Sequence, residues 1–173
     1  MLSFPVMRRL ILVAFCLSAS AADKPWIEVR SPNFTVVSNA GDKQARRAAG
    51  QFEQIRAVFE KGLKVRVDPG KPVVIFALRD EKSLKELLPQ FWETKGSVHP
   101  AGFFQGGQDK HYVALRLDTQ GENPYHIIYH EYVHMLVNLN FRSLPVWVNE
   151  GVAEFYGNTV IGDREIGIGR PSV

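Results

Sequence analysis

Regular spacings of apolar residues divide the chain into short strands and amphipathic helices. In its first half, alternating segments and a cluster of β-branched residues predict β-strands at 26–30, 33–38 and 72–78. Apolar residues recur at steps of three and four from about 42 to 63, which predicts a helix with one face in the core. Asp80 is predicted to cap a short helix that ends near residue 88.

The second half of the chain is predicted to hold a hairpin, two paired helices and a last strand. Alternating segments joined by a glycine-bearing turn predict strands at 101–105 and 111–118. Helices opened by Asn123-Pro124 and by Pro145 are predicted over about 124–140 and 146–156. Gly157-Asn158 ends the second helix, and a strand follows at 159–168. These elements predict an α+β domain whose mixed β-sheet packs on the two helices.

The first of the paired helices carries the pentapeptide His-Glu-Tyr-Val-His at residues 130–134. Residues four apart lie on one face of a helix, so His130 and His134 can bind one metal ion while Glu131 lies beside it. Catalytic zinc takes three protein ligands and keeps one position open. The pentapeptide therefore predicts a zinc site that needs one further protein ligand.

The second of the paired helices can supply that ligand. The turn at 141–144 is short, so the two helices can fold back on each other and bring Glu150 to the metal. Glu154, one turn further on, can accept a hydrogen bond from the unligated nitrogen of a zinc-bound histidine. We therefore predict a site in which Glu131 is the catalytic base, Glu154 is an outer residue, and the metal ligands are His130, His134 and Glu150.

The sequences HEYVH and PVWVNEGVAEF, within about 124–157, resemble the gluzincin clan of zinc metallopeptidases, and thermolysin-like "peptidase MA" domains in particular. The resemblance implies a zincin-like fold, Zn²⁺ as cofactor, a peptide or protein substrate, and hydrolysis by a zinc-activated water with Glu131 as general base. Two features depart from the family. Only fifteen residues separate His134 from Glu150, and no downstream tyrosine or histidine matches the family's oxyanion stabiliser.

Two alternatives to the enzyme remain open from the sequence. One is a zinc-binding but catalytically weak or inactive gluzincin-like module that holds a peptide or a partner. The other is a metal-free domain in which the motif arose by chance. Glu131 favours the enzyme, because a structural zinc site has no use for a base beside its ligands.

Several other residues have weaker assignments. The possible oxyanion stabilisers, with no preference among them, are Tyr156, His111, Tyr112 and Arg142. His126 and His99 are interpreted as ordinary polar residues, because no partner for either is visible in the sequence. If the resemblance holds, residues 112–117 form the sheet edge that pairs with an extended substrate, and the alternative is an ordinary structural hairpin.

The N-terminus has the order of a secretory signal peptide. A basic Met7-Arg8-Arg9 precedes an apolar run at 10–17 and small residues at 18–22. This predicts a leader at 1–22 and a metallopeptidase domain at 23–173. The apolar run is shorter than the roughly 20 residues of a spanning helix, so we expect no stable membrane insertion after its removal.

Removal of the leader changes the charge balance and the cysteine count of the mature chain. Loss of Arg8 and Arg9 leaves 19 of the 21 basic residues against 18 acidic ones, and this near-neutral balance argues against a nucleic-acid partner. Loss of Cys16 leaves a mature chain without cysteine, which favours the bacterial periplasm or secretion from a bacterium over a disulfide-rich secreted domain.

The end of the chain leaves its domain organisation open. Only 19 residues follow Glu154, and gluzincins usually form their cleft between a domain of this kind and a mainly helical lower one. Two interpretations follow: a minimal domain, or the N-terminal part of a longer protein. The sequence does not indicate an oligomeric state.

Overall fold

The computed structural model describes residues 25–93, 101–119, 125–162 and 164–170. Its strands are β1 (Ile27–Arg30), β2 (Phe34–Ser38), β3 (Val73–Leu78), β4 (Gly102–Gly106), β5 (His111–Arg116), β6 (Val160–Ile161) and β7 (Ile166–Gly167). Its helices are α1 (Asp42–Ala57), α2 (Glu81–Leu87), α3 (His126–Asn140) and α4 (Val146–Gly157). The α+β class is confirmed.

Most predicted elements are present within a few residues of their expected bounds. The helix predicted to run to residue 63 widens into a π-helical turn at Val58–Leu63 and ends at Lys64, whose φ of 54° is left-handed. The last strand, predicted at 159–168, is instead the two-stranded ribbon β6–β7. The predicted leader, His99 and the Asn123-Pro124 helix opening lie outside the described residues.

Five strands form one mixed sheet in the order β1-β2-β3-β5-β4. Strands β2, β3 and β5 are parallel, whereas β1 and β4 run antiparallel to their neighbours. The prediction that residues 112–117 form the sheet edge is wrong, because β5 hydrogen-bonds to β3 on one side and to β4 on the other. The edge of this sheet beside α3 is β4.

The two faces of the sheet have separate cores. On one face, side chains of β2, β3 and β5 pack against α1 and α3 in the main core, which includes Val36, Ile75 and Leu115. On the other face, Leu78 and Ala114 pack against Leu84 of α2. Alternation along a strand produces this division, since successive side chains point to opposite faces.

Helix α3 is held in one rotation by its buried aromatic residues. Tyr132 is 1% exposed and packs its ring against Phe34, Phe52 and Phe59. Tyr129 is equally buried and its hydroxyl donates to the side-chain oxygen of Gln51 on α1. Because this face of α3 lies in the core, His126, His130 and His134 lie on the face that contacts α4.

Helices α3 and α4 form an antiparallel hairpin. Helix α3 ends where the backbone N–H of Phe141 bonds to the carbonyl of Val137, and α4 begins where Pro145 accepts bonds from the N–H groups of Val148 and Asn149. Ala153, fully buried, lies in the main core. Among the described helices, none is both long and apolar enough to cross a bilayer.

Candidate metal centre

The α3–α4 hairpin brings His130, His134 and Glu150 together as predicted. Oε2 of Glu150 lies 3.4 Å from Nε2 of His130 and 3.6 Å from Nε2 of His134. Tetrahedral zinc with bonds of about 2.0–2.1 Å places its ligand atoms about 3.3–3.4 Å apart. Both separations are close to those of a zinc coordination shell, the three ligand atoms all lie within 4.8 Å of one another, and their nitrogen and oxygen chemistry suits that metal.

An outer hydrogen bond orients His134, and a carboxylate lies at a longer distance from His130. Nδ1 of His134 lies 3.1 Å from the side-chain oxygen of Asn149, so that nitrogen donates and Nε2 keeps its lone pair for a metal. Nδ1 of His130 lies 3.7 Å from Oε2 of Glu154, which places Glu154 where it was predicted but beyond hydrogen-bond distance. No role was predicted for Asn149, although its position next to Glu150 indicates that it lies close to the candidate metal ligands.

Burial keeps His130 in the form that binds metals. Desolvation lowers the pKa of this imidazole, and the neighbouring His134 lowers it further. Glu150 and Glu154 act in the opposite direction. A lowered pKa favours the neutral ring, whose nitrogen lone pair is free for coordination at neutral pH.

Glu131 is a buried carboxyl group beside this cluster. It is 4% exposed, and its Oε2 has no hydrogen-bond partner in the part of the chain that the structure describes. Burial raises its pKa to about 8, and the negative charge of Glu150 adds to the rise. A buried carboxyl oxygen without a partner is uncommon in native proteins, and a catalytic role or a bound ion or water would each account for it.

Strand β4 lies directly against Glu131 because residue 102 is glycine. A Cβ atom at Gly102 would stand 2.5 Å from Oε1 of Glu131 and 2.6 Å from its Cγ. Any larger residue there would therefore move the carboxyl group. The contact between Gly102 and Glu131 was not predicted, since no local sequence pattern connects the two residues.

The possible oxyanion stabilisers are dispersed. The ring of Tyr156 packs against Phe59 at 5.0 Å. Tyr112 stacks on Phe76, on the face of the sheet opposite to α3. His111 lies against Phe104 on β4, and Arg142 is exposed in the turn after α3. The geometry assigns the role to none of them.

His126, interpreted as an ordinary polar residue because no partner for it was visible in the sequence, has a partner in the structure. Its Nε2 lies 3.1 Å from Oε2 of Glu154, and its ring centroid is 5.6 Å from that of His130. The available signal was the four-residue step from His126 to His130 and on to His134. That step places all three imidazoles on one face of α3.

Replacement of Glu131 by Gln is expected to stabilise the metal-free protein, and more so at higher pH. The folded carboxyl group keeps its proton up to about pH 8, whereas the ordinary value is 4.5, so between these values the folded state binds more protons than the unfolded one. Its stability therefore falls as the pH rises through this window, by up to about 1.4 kcal/mol per unit. Glutamine has the same shape and does not ionise.

Urea unfolding in the presence of EDTA at pH 5 and pH 8 measures this effect. We expect Glu131→Gln to gain stability over the wild type mainly at pH 8. Glu86, an exposed residue of α2, provides the matched control, since Glu86→Gln should change stability little at either pH. A gain for Glu131→Gln that is no larger at pH 8 than at pH 5 would contradict the assignment of a buried, protonated Glu131.

Comparison with models of protein families, with curated proteins and with solved structures found no match for this chain in any of the three. The motifs and the geometry of the site therefore provide the evidence for its function.

Proposed function

We propose that this chain is a zinc-dependent peptidase of the gluzincin type with a zincin-like fold. His130, His134 and Glu150 would hold Zn²⁺, and Glu131 would act as general base. One observation carries the proposal: Oε2 of Glu150 lies within 3.6 Å of Nε2 of both histidines, beside a buried carboxyl group whose Oε2 has no hydrogen-bond partner in the described structure. A chance motif on a surface helix would not produce both features together.

Zinc bound at this cluster would supply Lewis-acid chemistry and a water of lowered pKa. The chain's own residues support the proton transfers that peptide hydrolysis requires. Burial raises the pKa of Glu131 to about 8 in the metal-free protein, and a zinc ion beside it would favour the ionised form. That carboxylate could accept a proton and return it to a leaving amine. Asn149 and Glu154 would keep the two histidine ligands oriented while this happens.

The sheet edge supports a peptide as the substrate. Strand β4 is the last strand of the five-stranded sheet, and it contacts both α3 and the Glu131 side chain. An extended peptide could add to this edge through backbone hydrogen bonds, which bind many sequences alike. We therefore transfer the proposed substrate edge from residues 112–117 to β4.

A zinc-binding module with weak or no activity is the second candidate. One observation favours it: Tyr112 lies on the face of the sheet opposite to α3, so its hydroxyl is poorly placed to stabilise an oxyanion. The Glu131 variant described below separates the two candidates.

We further propose an extracytoplasmic location, in the bacterial periplasm or outside the cell, with a leader at residues 1–22. The charged, apolar and small-residue segments of the N-terminus support it. Mass spectrometry of the exported protein tests the proposal, since an intact N-terminus on exported protein would contradict removal of the leader.

Glu131→Gln is expected to abolish peptide hydrolysis and to leave zinc binding intact. Loss of a general base typically lowers the rate about 10²- to 10⁴-fold, whereas the three ligand atoms are unchanged. Cleavage of a broad peptide library, read by mass spectrometry with zinc-loaded proteins, measures the loss, and Glu86→Gln is the control. If wild type and Glu131→Gln are both folded and zinc-loaded but equally inactive, the peptidase proposal is refuted and the binding module is favoured.

Gly102→Ala is expected to lower hydrolysis at least about tenfold while zinc is retained. Its Cβ would displace the carboxyl group of Glu131 from the position beside the ligands, and misplacement by about 1 Å can cost 10²-fold in rate. Gly106→Ala is the matched control on the same strand, because its nearest side-chain contact is an ordinary 3.6 Å. Equal activity of the two variants would refute the role of Gly102.

A further inference from the structure

His126 is joined to the metal centre through Glu154. It lies one turn before His130 on α3 and outside the three proposed ligands, and its Nε2 is 3.1 Å from Oε2 of Glu154 on α4. An ionised carboxylate only accepts hydrogen bonds, so Nε2 of His126 carries the proton and donates it. The same carboxylate oxygen lies 3.7 Å from Nδ1 of His130. One oxygen of Glu154 therefore faces both imidazoles.

Glu154 would be poorly ordered without such contacts. Its side chain is 55% exposed, and fixing an exposed glutamate costs side-chain entropy. His126 holds Oε2, while the side-chain amide of Asn158 donates to Oε1 at 3.1 Å. These two bonds restrain the carboxylate from both sides and leave it directed at His130.

The last residue of α4 makes room for the His126 ring. A Cβ atom at Gly157 would lie 2.9 Å from Nε2 of His126 and 3.4 Å from Cβ of His130. Glycine at this position therefore lets the imidazole reach Glu154. The close approach of α4 to the two histidines depends on it.

We propose that His126 is a positioning residue of the metal centre, which acts through Glu154 to hold His130 in the orientation that binds zinc. This inference rests on the proposed function, because it concerns affinity for the same metal. Outer partners of metal-bound histidines typically contribute 10- to 100-fold to metal affinity. His126 acts one contact further out, so we expect a smaller contribution of about three- to tenfold.

The same atoms could instead form a second cation site. Ligand atoms of His126, His130 and Glu154 lie within 4.8 Å of one another. A cation there would need Nδ1 of His130 to lose its proton while Nε2 already binds the first metal, and metal-bound histidines normally keep that proton and donate it to a carboxylate. We therefore favour the positioning role and make the second site an outcome of the test.

The test compares zinc affinity, by competition with a chromophoric chelator, for wild type, His126→Leu and His126→Gln. Leucine removes the donor, and we expect the Kd for zinc to rise about three- to tenfold. The side-chain amide of glutamine can replace the Nε2–H donor. We expect it to restore most of the affinity. Thermal unfolding in EDTA checks that the metal-free fold is equally stable in the three proteins.

A second pair of variants retains His126 and changes glycines of α4. Gly157→Ala pushes the ring away from Glu154 and should raise the Kd for zinc by a similar factor. Gly151→Ala is the matched control on the same helix, because a Cβ there meets nothing within 4 Å. It should leave the Kd unchanged.

The outcomes are distinguishable. Absence of zinc binding by the wild type would refute the proposed function, and this inference with it. Wild-type affinity in both His126→Leu and Gly157→Ala would overturn the positioning role alone. A second zinc equivalent that His126→Leu abolishes would replace it with a second cation site. Equal weakening in His126→Leu and His126→Gln, with an equal loss of metal-free stability, would reduce His126 to a structural role.

Discussion

The burial of one face of α3 determines the geometry of the whole site. Tyr129 and Tyr132 are each 1% exposed and pack into the core shared with α1, so the helix has little freedom to rotate about its axis. The three histidines at four-residue steps must then face α4. A short turn brings α4 back along these histidines. Glu150 then lies near His130 and His134, and Glu154 lies near His126 and His130. The candidate ligand atoms are thus brought together by packing of the protein alone.

This arrangement has an energetic cost, which supports the proposal that the site is functional. Glu131 is buried with an oxygen that has no hydrogen bond in the described structure, and burial raises its pKa to about 8. A neutral or apolar residue at this position would suit the core better. Such a trade of stability for chemistry is typical of catalytic positions. The close approach of Gly102 shows that β4 and α3 have accommodated the carboxyl group rather than excluded it.

Much of the fold could be predicted from the sequence, because its elements follow local patterns. Alternation identified β1 to β5, and proline and glycine signals identified the bounds of α4. The predicted ligands also depended on local information, since His130 and His134 share a helix face and Glu150 follows a short turn. In each case the relevant spacing is a property of a single helix or a single hairpin.

The features that the sequence did not predict correctly are contacts between segments distant in the chain. No local pattern reports that β5 pairs with β3 as well as with β4, so the edge was placed on the wrong strand of the hairpin. The contact of His126 with Glu154 spans 28 residues and depends on how α3 and α4 cross. Gly102 meets Glu131 only because β4 lies beside α3. Such contacts follow from tertiary packing, which periodicity alone does not encode.

Metal analysis of the purified protein measures whether His130, His134 and Glu150 bind zinc as proposed. We expect about one tightly bound zinc per molecule and a large loss of affinity in Glu150→Gln. Glu150 is 56% exposed, so this variant should keep its fold. Glu86→Gln should bind zinc like the wild type. Absence of zinc from the folded wild type, or equal affinity in Glu150→Gln, would refute the proposed zinc site.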